Sequence, residues 1–336
     1  MTAAEWTAPD ATRAGERMPA ERPDIPVSLI LTTRNEAAQV DTFLEGVRAQ
    51  TVRPAEIVVC DGGSSDDTPA RMRQRGTDLP LRVMEIPGAN IARGRNEAIR
   101  AATQEVLAIT DAGCVLAPDW LERITAPLLD SPAVDAVGGG YVLTGENRVQ
   151  RWTRAASLSL EMQDPETFLP SSRSFAVRRA SIERAGLYPE QLSFAGEDTA
   201  LVLRMKAQGA RFVTRWDARV YWDVRPTLAG FLRQHYLYGR GDGEARSNTA
   251  RYRRTAIKWG ALAVLPLLGL LSPWLLCAFP LALWANARRL CPLYGWRARP
   301  FSERLGGYLF VALKEWSLFV GYVAGRLRGI PSRGHA

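Results

Sequence analysis

One stretch in the first half of the chain restricts the fold more than any other, and it runs VLAITDAGC over residues 106–114. Its first four residues are apolar, and they lead directly into Thr110, Asp111 and an Ala-Gly step. A short apolar run that ends in turn residues is typical of a strand buried on both faces of a sheet. An acidic residue at the carboxyl end of such a strand lies where open α/β sheets bind their ligands. Taken alone, Asp111 indicates no more than a turn, so its role depends on its neighbours.

Alternating strand and helix patterns come before this stretch. Apolar runs over residues 27–33, 56–60 and 81–85 predict three further strands. Apolar residues at helical spacing predict one helix after Asn35 and another over residues 89–102. Strands that alternate with helices in this way predict a doubly wound, mostly parallel α/β sheet.

Polar residues follow the predicted strands at the same edge of the sheet. Thr32 and Glu36 come at the end of the first strand, Asp61 ends the second, and Asp111 follows the fourth. Arg95 lies in the first turns of a helix, where free N–H groups favour phosphate. These side chains should converge on one crevice. A set of carboxylates and arginines suits a nucleotide diphosphate with a divalent metal, Mg²⁺ or Mn²⁺.

The composition limits the classes of partner and of catalytic chemistry that the chain is expected to have. The chain has 336 residues and a formal net charge of +8, which favours an anionic partner. Its basic residues cluster at 240–258 and 288–304, around an apolar block, which indicates a membrane surface rather than nucleic acid. Four cysteines without C-x-x-C spacing predict neither a disulfide framework nor a zinc site. Two histidines leave little room for histidine-based catalysis.

Five motifs, in one order, resemble those of the family 2 glycosyltransferases, which have the GT-A fold. They are VSLILTTRNE (27–36), IVVCDGGSSDDT (57–68), GRNEAI (94–99), TDAG (110–113) and GED (196–198). The resemblance implies a GT-A nucleotide-diphospho-sugar transferase fold. It also implies an inverting transfer of a sugar from a nucleotide-diphosphate donor, with a UDP-sugar expected.

The resemblance assigns roles to individual residues in the donor half. Thr32 and Glu36 would line the base and ribose pocket, Asp61 would hydrogen-bond the nucleobase, and Arg95 would contact the nucleotide. Asp111 matches the first aspartate of the family's D-x-D metal motif.

The chain departs from that motif at its second aspartate, which is replaced by Gly113. Asp111 must therefore hold the metal alone or through water, or bind it more weakly.

The GED motif supplies the candidate general base. Two acids at a helix start are stabilising without any catalytic role. Neighbouring residues do not share a helix face, so only one of them should point into the crevice. The family match assigns Asp198 as the base that deprotonates the acceptor hydroxyl, with Glu197 as the alternative. An acceptor that is itself a phosphate would need little base, and Asp198 would then position it.

Two segments between these motifs have open interpretations. Three consecutive glycines at 138–140 favour a bulge or close strand packing over a phosphate loop, because no helix pattern follows them. Residues 171–179 resemble the family's strand beside the donor sugar. There Arg173 or Ser174 either contacts the sugar or packs within the sheet.

The chain is predicted to begin with a disordered tail at 1–24, followed by a catalytic domain at 25–228. Its C-terminal third predicts membrane attachment. Residues 229–256 predict an amphipathic interface helix with a basic linker, or an ordinary domain helix. Residues 257–287 predict a transmembrane or re-entrant hairpin, with one tilted span as the alternative. Residues 288–336 predict a basic loop and a second membrane-associated helix.

A short element within the interface helix loosely resembles the Q-x-x-R-W motif of polysaccharide-making relatives, although its Arg-Trp pair is missing. By that resemblance Gln234 and Arg240 would contact the acceptor or the diphosphate.

The sequence as a whole predicts a membrane-attached inverting glycosyltransferase that acts on a lipid-linked or membrane-proximal saccharide acceptor. Its expected location is the inner membrane, with the catalytic domain in the cytoplasm, because no apolar signal core precedes it. Gly113 leaves open a nucleotide-sugar-binding pseudoenzyme. Sugar nucleotidyltransferases share a similar sheet but carry a glycine-rich loop where this chain has TRNE.

Overall fold

The computed structural model describes residues 22–158, 163–192, 195–268 and 299–328, with single positions and short runs between 281 and 297. Most of the predicted tail at 1–24 lies outside the described residues. So does the middle of the predicted hairpin at 257–287.

Four parallel strands and three helices form the first half of the fold, as the sequence predicts. The strands are β1 (Asp24–Thr33), β2 (Arg53–Asp61), β3 (Leu81–Glu85) and β4 (Val106–Ile109). The helices between them are α1 (Val40–Arg48), α2 (Thr68–Arg75) and α3 (Ile91–Ala101). The strands lie in the order β3-β2-β1-β4, and every residue of β4 is buried. The unbroken apolar run of β4 is thus explained by helices that cover both faces of the sheet.

The second half adds four strands to the same sheet and contains four helices. The strands are β5 (Cys114–Leu116), β6 (Ala136–Thr144), β7 (Phe175–Arg178) and β8 (Phe212–Asp223). The helices are α4 (Trp120–Asp130), α5 (Arg148–Ala155), α6 (Arg179–Arg184) and α7 (Glu197–Ala207). The full order is β3-β2-β1-β4-β7-β6-β8-β5, and β7 runs antiparallel to both β4 and β6.

The sheet is therefore mixed, which corrects the prediction of a mostly parallel, doubly wound sheet. Strand β7 lies beside β4 in the sheet, although β5, α4, β6 and α5 separate the two strands in the sequence. Its three buried positions make it as apolar as a parallel strand. The hydrophobicity of a strand indicates whether it is buried and not whether it runs parallel or antiparallel to its neighbours. The sequence pattern therefore could not distinguish a parallel sheet from a mixed one.

The glycine-rich strand β6 is kinked by close packing, which confirms the predicted bulge. Its register with β8 shifts between Gly139 and Gly140. A Cβ atom on Gly139 would lie 2.7 Å from the carbonyl oxygen of Ala218 and would collide with the Ser174 hydroxyl. Only glycine allows β6 to approach its neighbours this closely.

Three further helices complete the described chain, and two of them pack backbone to backbone. They are α8 (Leu228–Glu244), α9 (Thr249–Leu268) and α10 (Phe301–Arg328). Gly239 and Gly243 of α8 face carbonyl groups of α10, and Gly321 and Gly325 of α10 face carbonyl groups of α8. A Cβ atom at any of the four would overlap the partner helix. The helix expected at the membrane interface, α8, thus has its glycine-rich side buried against α10.

None of the helices in the described part of the chain is both long and apolar enough to cross a membrane. The predicted C-terminal membrane helices are therefore not among these elements. In α10 the central charges serve contacts within the protein: Lys314 donates to the carbonyl of Ala156, and Glu315 accepts from Lys258 and from the Trp259 indole.

Candidate active site

The loop after β2 encloses the carboxylate of Asp61. Its Oδ1 accepts from the backbone N–H groups of Gly63 (2.9 Å) and Ser64 (2.7 Å). Its Oδ2 accepts from the hydroxyls of Thr33 and Ser64. Asp61 is 1% exposed and fixes the shape of this loop. The predicted contact with a nucleobase stays a prediction.

Thr32 and Glu36 line a cleft at the carboxyl ends of the parallel strands. The Thr32 hydroxyl donates to the carbonyl of Cys60 at 2.9 Å, which joins β1 to β2. The N–H of Glu36 donates to the Thr68 hydroxyl at 2.8 Å, so the start of α2 positions this residue. Burial raises the pKa of Glu36, the charge of Asp111 raises it further, and the charge of Arg225 lowers it. Both of these charged groups line the same cleft as Glu36.

Arg95 bridges two acidic residues at the floor of the cleft. Its guanidinium donates to Asp111 and to Glu197, each at 2.7 Å, and lies over the ring of Tyr188. Its side chain is only 2% exposed. Burial alone would lower the pKa of Arg95, but the two carboxylates raise it above its ordinary value. Arg95 is thus a permanent buried cation that joins the end of β4 to the start of α7.

The two acids at the start of α7 have different surroundings. Gly196, before the helix, has φ = 88°, a left-handed conformation that glycine adopts without strain. Glu197 turns inward to Arg95, and its pKa is raised by burial and by the charge of Asp198, against the effect of Arg95. Asp198 lines the cleft and accepts from the N–H of Thr199 at 2.7 Å. Within the described residues Asp198 forms no ion pair, so it is the acid of the two that remains available.

Arg173, and not Ser174, reaches the cleft. It stacks on Trp222 at 4.0 Å and donates to the Tyr238 hydroxyl at 3.0 Å, and its Nε lies 3.9 Å from Oδ2 of Asp111. The Ser174 hydroxyl instead accepts from the Trp120 indole and lies in the core. Burial would raise the pKa of Asp111, but Arg95 and Arg173 hold it below its usual value. The sequence offered no signal that separated Arg173 from Ser174.

Helices α8, α9 and α10 form the other wall of this cleft, whose volume is about 890 Å³. Gln234 lines it and donates to the Tyr238 hydroxyl at 3.1 Å. Arg240 is not among the lining residues, and its Nε lies 2.8 Å from Oε1 of Glu244 in the same helix. The structure therefore brings Gln234 to the site but not Arg240. Three basic residues of this wall line the cleft without having been predicted as site residues: Arg233, Arg251 and Lys314.

The predicted metal can be tested against the space beside Asp111. The described residues contain no cluster of three His, Cys, Asp or Glu side chains able to hold an ion. A Cβ atom on Gly113 would meet only Oε2 of Glu36, at 3.9 Å. The space left by the missing aspartate thus lies open beside a second carboxylate. Proteins bind Mg²⁺ or Mn²⁺ with one or two carboxylates plus substrate phosphates, and Asp111 and Glu36, which line the same cleft, are carboxylates of that kind.

A mixed α/β sheet with a carboxylate-rich cleft at its strand ends defines the GT-A class of nucleotide-sugar transferases. The model of the family described as Glycosyl transferase family 2 matches residues 28–208, more than half of the chain. The chain belongs to this family, and it is a glycosyltransferase.

Individual relatives support the fold and its family. Glycosyltransferase AglE of Haloferax volcanii is 26% identical over 223 residues, which cover 64% of this chain and 72% of AglE. An N-acetylglucosaminyl-diphospho-decaprenol L-rhamnosyltransferase of Mycobacterium tuberculosis is 27% identical over 162 residues, about half of each chain (48%). Mannosyltransferase PcManGT from Pyrobaculum calidifontis, solved in complex with GDP-Man and Mn²⁺, aligns with a TM-score of 0.56 at 22% identity. The alignment covers 91% of this chain and 87% of the PcManGT chain, which shows that the two share a fold.

Proposed function

We propose that the protein transfers a sugar from a nucleotide-diphosphate donor to an acceptor in this cleft, with inversion at the anomeric carbon. The observation that carries the proposal is the arrangement of acids around Arg95. Asp111 and Glu197 are paired with Arg95, whereas Asp198 lines the same cleft without an ion pair among the described residues. One acid is thereby available to act on the acceptor.

Each residue then has a defined task. Asp198 removes the proton from the acceptor hydroxyl as that oxygen attacks the anomeric carbon, which makes it the general base. Arg173 presents positive charge beside Asp111, where negative charge develops on the leaving diphosphate. A divalent ion held by Asp111 and Glu36 would supply further charge neutralisation there.

We propose a UDP-sugar as the donor. The support is the resemblance of the IVVCDGGSSDDT loop to uracil-binding relatives, although PcManGT was solved with GDP-Man. A panel of UDP- and GDP-sugars with Mn²⁺ or Mg²⁺ tests the choice, with release of the nucleotide as the readout. Transfer from GDP-sugars alone would overturn it.

The acceptor is proposed to be lipid-linked. The mycobacterial relative is named for a diphospho-decaprenol acceptor. In this chain α10 carries an exposed stripe of apolar side chains. The sequence spacing of these residues places them on one side of the helix, opposite the face that packs on α8. The stripe consists of Leu305, Leu309, Trp316, Val320, Val323 and Leu327, which are 40–83% exposed.

We propose that this stripe lies on an anionic lipid surface. Exposed arginines flank it at both ends of α10, at Arg304, Arg326 and Arg328, and match such a surface in charge. Flotation with phosphatidylglycerol vesicles tests this with a variant that carries Leu309→Ser and Trp316→Ser. The matched control, Leu203→Ser, changes an exposed leucine on α7. Equal recovery of both variants with the vesicles would refute the assignment. The predicted inner-membrane location stays a prediction.

The proposed reaction is tested with purified full-length protein, the donor panel and a membrane lipid extract. Transfer that is lost in Asp198→Asn, with UDP binding retained, is the expected result. Tight UDP binding without transfer from any donor would instead identify a nucleotide-sugar-binding pseudoenzyme.

A further inference from the structure

The wall of the cleft formed by α8, α9 and α10 is basic. Arg233 of α8, Arg251 of α9 and Lys314 of α10 all line the cleft. They come from three separate helices, and the glycine contacts between α8 and α10 hold two of these helices together. Packing of the C-terminal helices thus gathers cationic side chains at one side of the cleft.

None of these cations forms an ion pair with the residues that the structure describes, and Asp242, the acid on the same wall, accepts from Ser247, Asn248 and Tyr252 instead. Within the described part of the chain none of the three lies within 4.0 Å of a carboxylate oxygen, whereas Arg95 and Arg173 on the donor side both lie near Asp111. The ammonium of Lys314 donates to the carbonyl of Ala156, which is a neutral acceptor. Unpaired cations that line a cleft are an electrostatic complement to an anionic ligand.

The charges on this wall also repel one another. Burial, and after it the nearby charge of Arg251, lower the pKa of Lys314 to about 8, against the effect of Glu315. Burial likewise lowers the pKa of His235 to about 4, and Lys314 and Arg251 contribute to that shift. Arg251 and Lys314 both line the cleft and are two neighbouring cations, whereas His235 stays neutral near pH 7. A bound anion would relieve the repulsion between the two cations.

These two cations are distinct from the cations that face the donor. The Nε of Arg173 lies 3.9 Å from Oδ2 of Asp111. Arg251 and Lys314 instead lie on α9 and α10, and neither is within 4.0 Å of a carboxylate oxygen of the described residues. The cleft thus has two cationic regions, one beside the Asp111–Glu36 pair and the other on the C-terminal helices.

We propose that Arg251 and Lys314 form a phosphate-binding subsite for the acceptor, so that the acceptor carries a phosphate or diphosphate group. The inference rests on the proposed transferase function, because the cleft must also hold a donor. Arg233 lies on the same wall and adds to its positive charge. Charge-assisted hydrogen bonds to phosphate are among the stronger polar contacts in proteins, and they give this subsite its selectivity.

The test measures binding to the full-length protein by calorimetry, without catalysis. The probes are farnesyl phosphate, farnesol and inorganic pyrophosphate. Farnesyl phosphate should bind, and Arg251→Gln should weaken it about tenfold or more, since a hydrogen bond to a charged group is lost. Arg251→Lys, which keeps the charge, should recover part of the affinity. Lys314→Gln should weaken binding similarly.

Two controls separate the subsite from other effects. Arg253→Gln changes an exposed arginine of α9 that does not line the cleft, and it should leave farnesyl phosphate binding unchanged. UDP binding should be the same in Arg251→Gln as in the native protein, which also shows that this variant folds. If the proposed transferase function fails, the binding results still decide the subsite on their own.

The outcomes discriminate between the sources of the anion. Binding of farnesyl phosphate well above that of pyrophosphate supports a lipid phosphate, and equal binding supports the same subsite with a free phosphate as ligand. Equal binding of farnesol and farnesyl phosphate would overturn the proposal. So would an unchanged affinity for farnesyl phosphate in both Arg251→Gln and Lys314→Gln.

Discussion

Replacing Arg95 with methionine should destabilise the protein strongly, and by an amount that depends on pH. The substitution removes two hydrogen bonds of 2.7 Å, leaves Glu197 without its cation and leaves Asp111 with only the more distant Arg173. Removal of one partner from a buried ion pair costs about 3–5 kcal/mol, because the remaining charge stays buried. The side chain of Glu197 is only 6% exposed, so solvent cannot replace the lost partner.

The pH dependence follows from the raised pKa of Glu197. A carboxyl group whose pKa is raised on folding favours the folded state most below its model value of 4.5, and that contribution is lost as pH rises through the folded pKa. Arg95 opposes this shift, so Arg95→Met should raise the pKa of Glu197 further. The stability deficit of the variant should therefore be larger at pH 8 than at pH 5.

Urea unfolding of the native and variant proteins at pH 5, 6.5 and 8 measures this difference. A second variant, Arg95→Met with Glu197→Gln, should recover part of the lost free energy at pH 8, because a neutral amide replaces the stranded carboxylate. An equal deficit at pH 5 and pH 8 would refute the reasoning. No recovery in the double variant would refute it as well.

Three further changes test other parts of the structure. Asp198→Asn should lower kcat by about 10²–10⁴ without changing the Kd for UDP, measured by UDP release and calorimetry. Gly113→Asp should tighten Mn²⁺ binding in the presence of UDP about tenfold, whereas Glu36→Gln should weaken it. Calorimetry measures the Kd for Mn²⁺, and unchanged values in both variants would contradict a metal site shared by Asp111 and Glu36. Gly321→Ala should cost about 1–3 kcal/mol because its Cβ overlaps α8, and Gly260→Ala, with open space around it, should cost none in a thermal melt.

The donor half was predictable from sequence because its signals are local. The apolar run of β4 and the polar residues at the strand ends are contiguous in sequence, and topology brings the ends of parallel strands together. Thr32, Glu36 and Asp111 accordingly line one cleft, as predicted, but Asp61, which was predicted to join them, is buried and is not among the lining residues. Arg95 was identified as a site residue, but its partner Glu197 lies 102 residues away, and no local pattern reports such a pair.

The C-terminal helices were harder to interpret from sequence, although their glycines are visible there. Gly239 and Gly243, like Gly321 and Gly325, are four residues apart and so lie on one side of a helix. That spacing permits close helix packing in any environment. The sequence does not say which helix is the partner. The charge of Lys314 inside an apolar stretch was the other available signal, and the structure places it in the cleft.

The division of the cleft between two parts of the chain explains why family membership defines the donor chemistry more closely than the acceptor. The family match ends at residue 208, and it contains Glu36, Asp111 and Asp198. Arg251 and Lys314 lie beyond it, on α9 and α10, and α10 packs on α8 through glycine. Relatives can therefore share the catalytic acids while their C-terminal helices present different side chains. Loss of the α8–α10 contact, as in Gly321→Ala, should then weaken farnesyl phosphate binding more than UDP binding, because Lys314 lies on α10 itself, and α9, which carries Arg251, stacks Tyr252 on Tyr322 of α10.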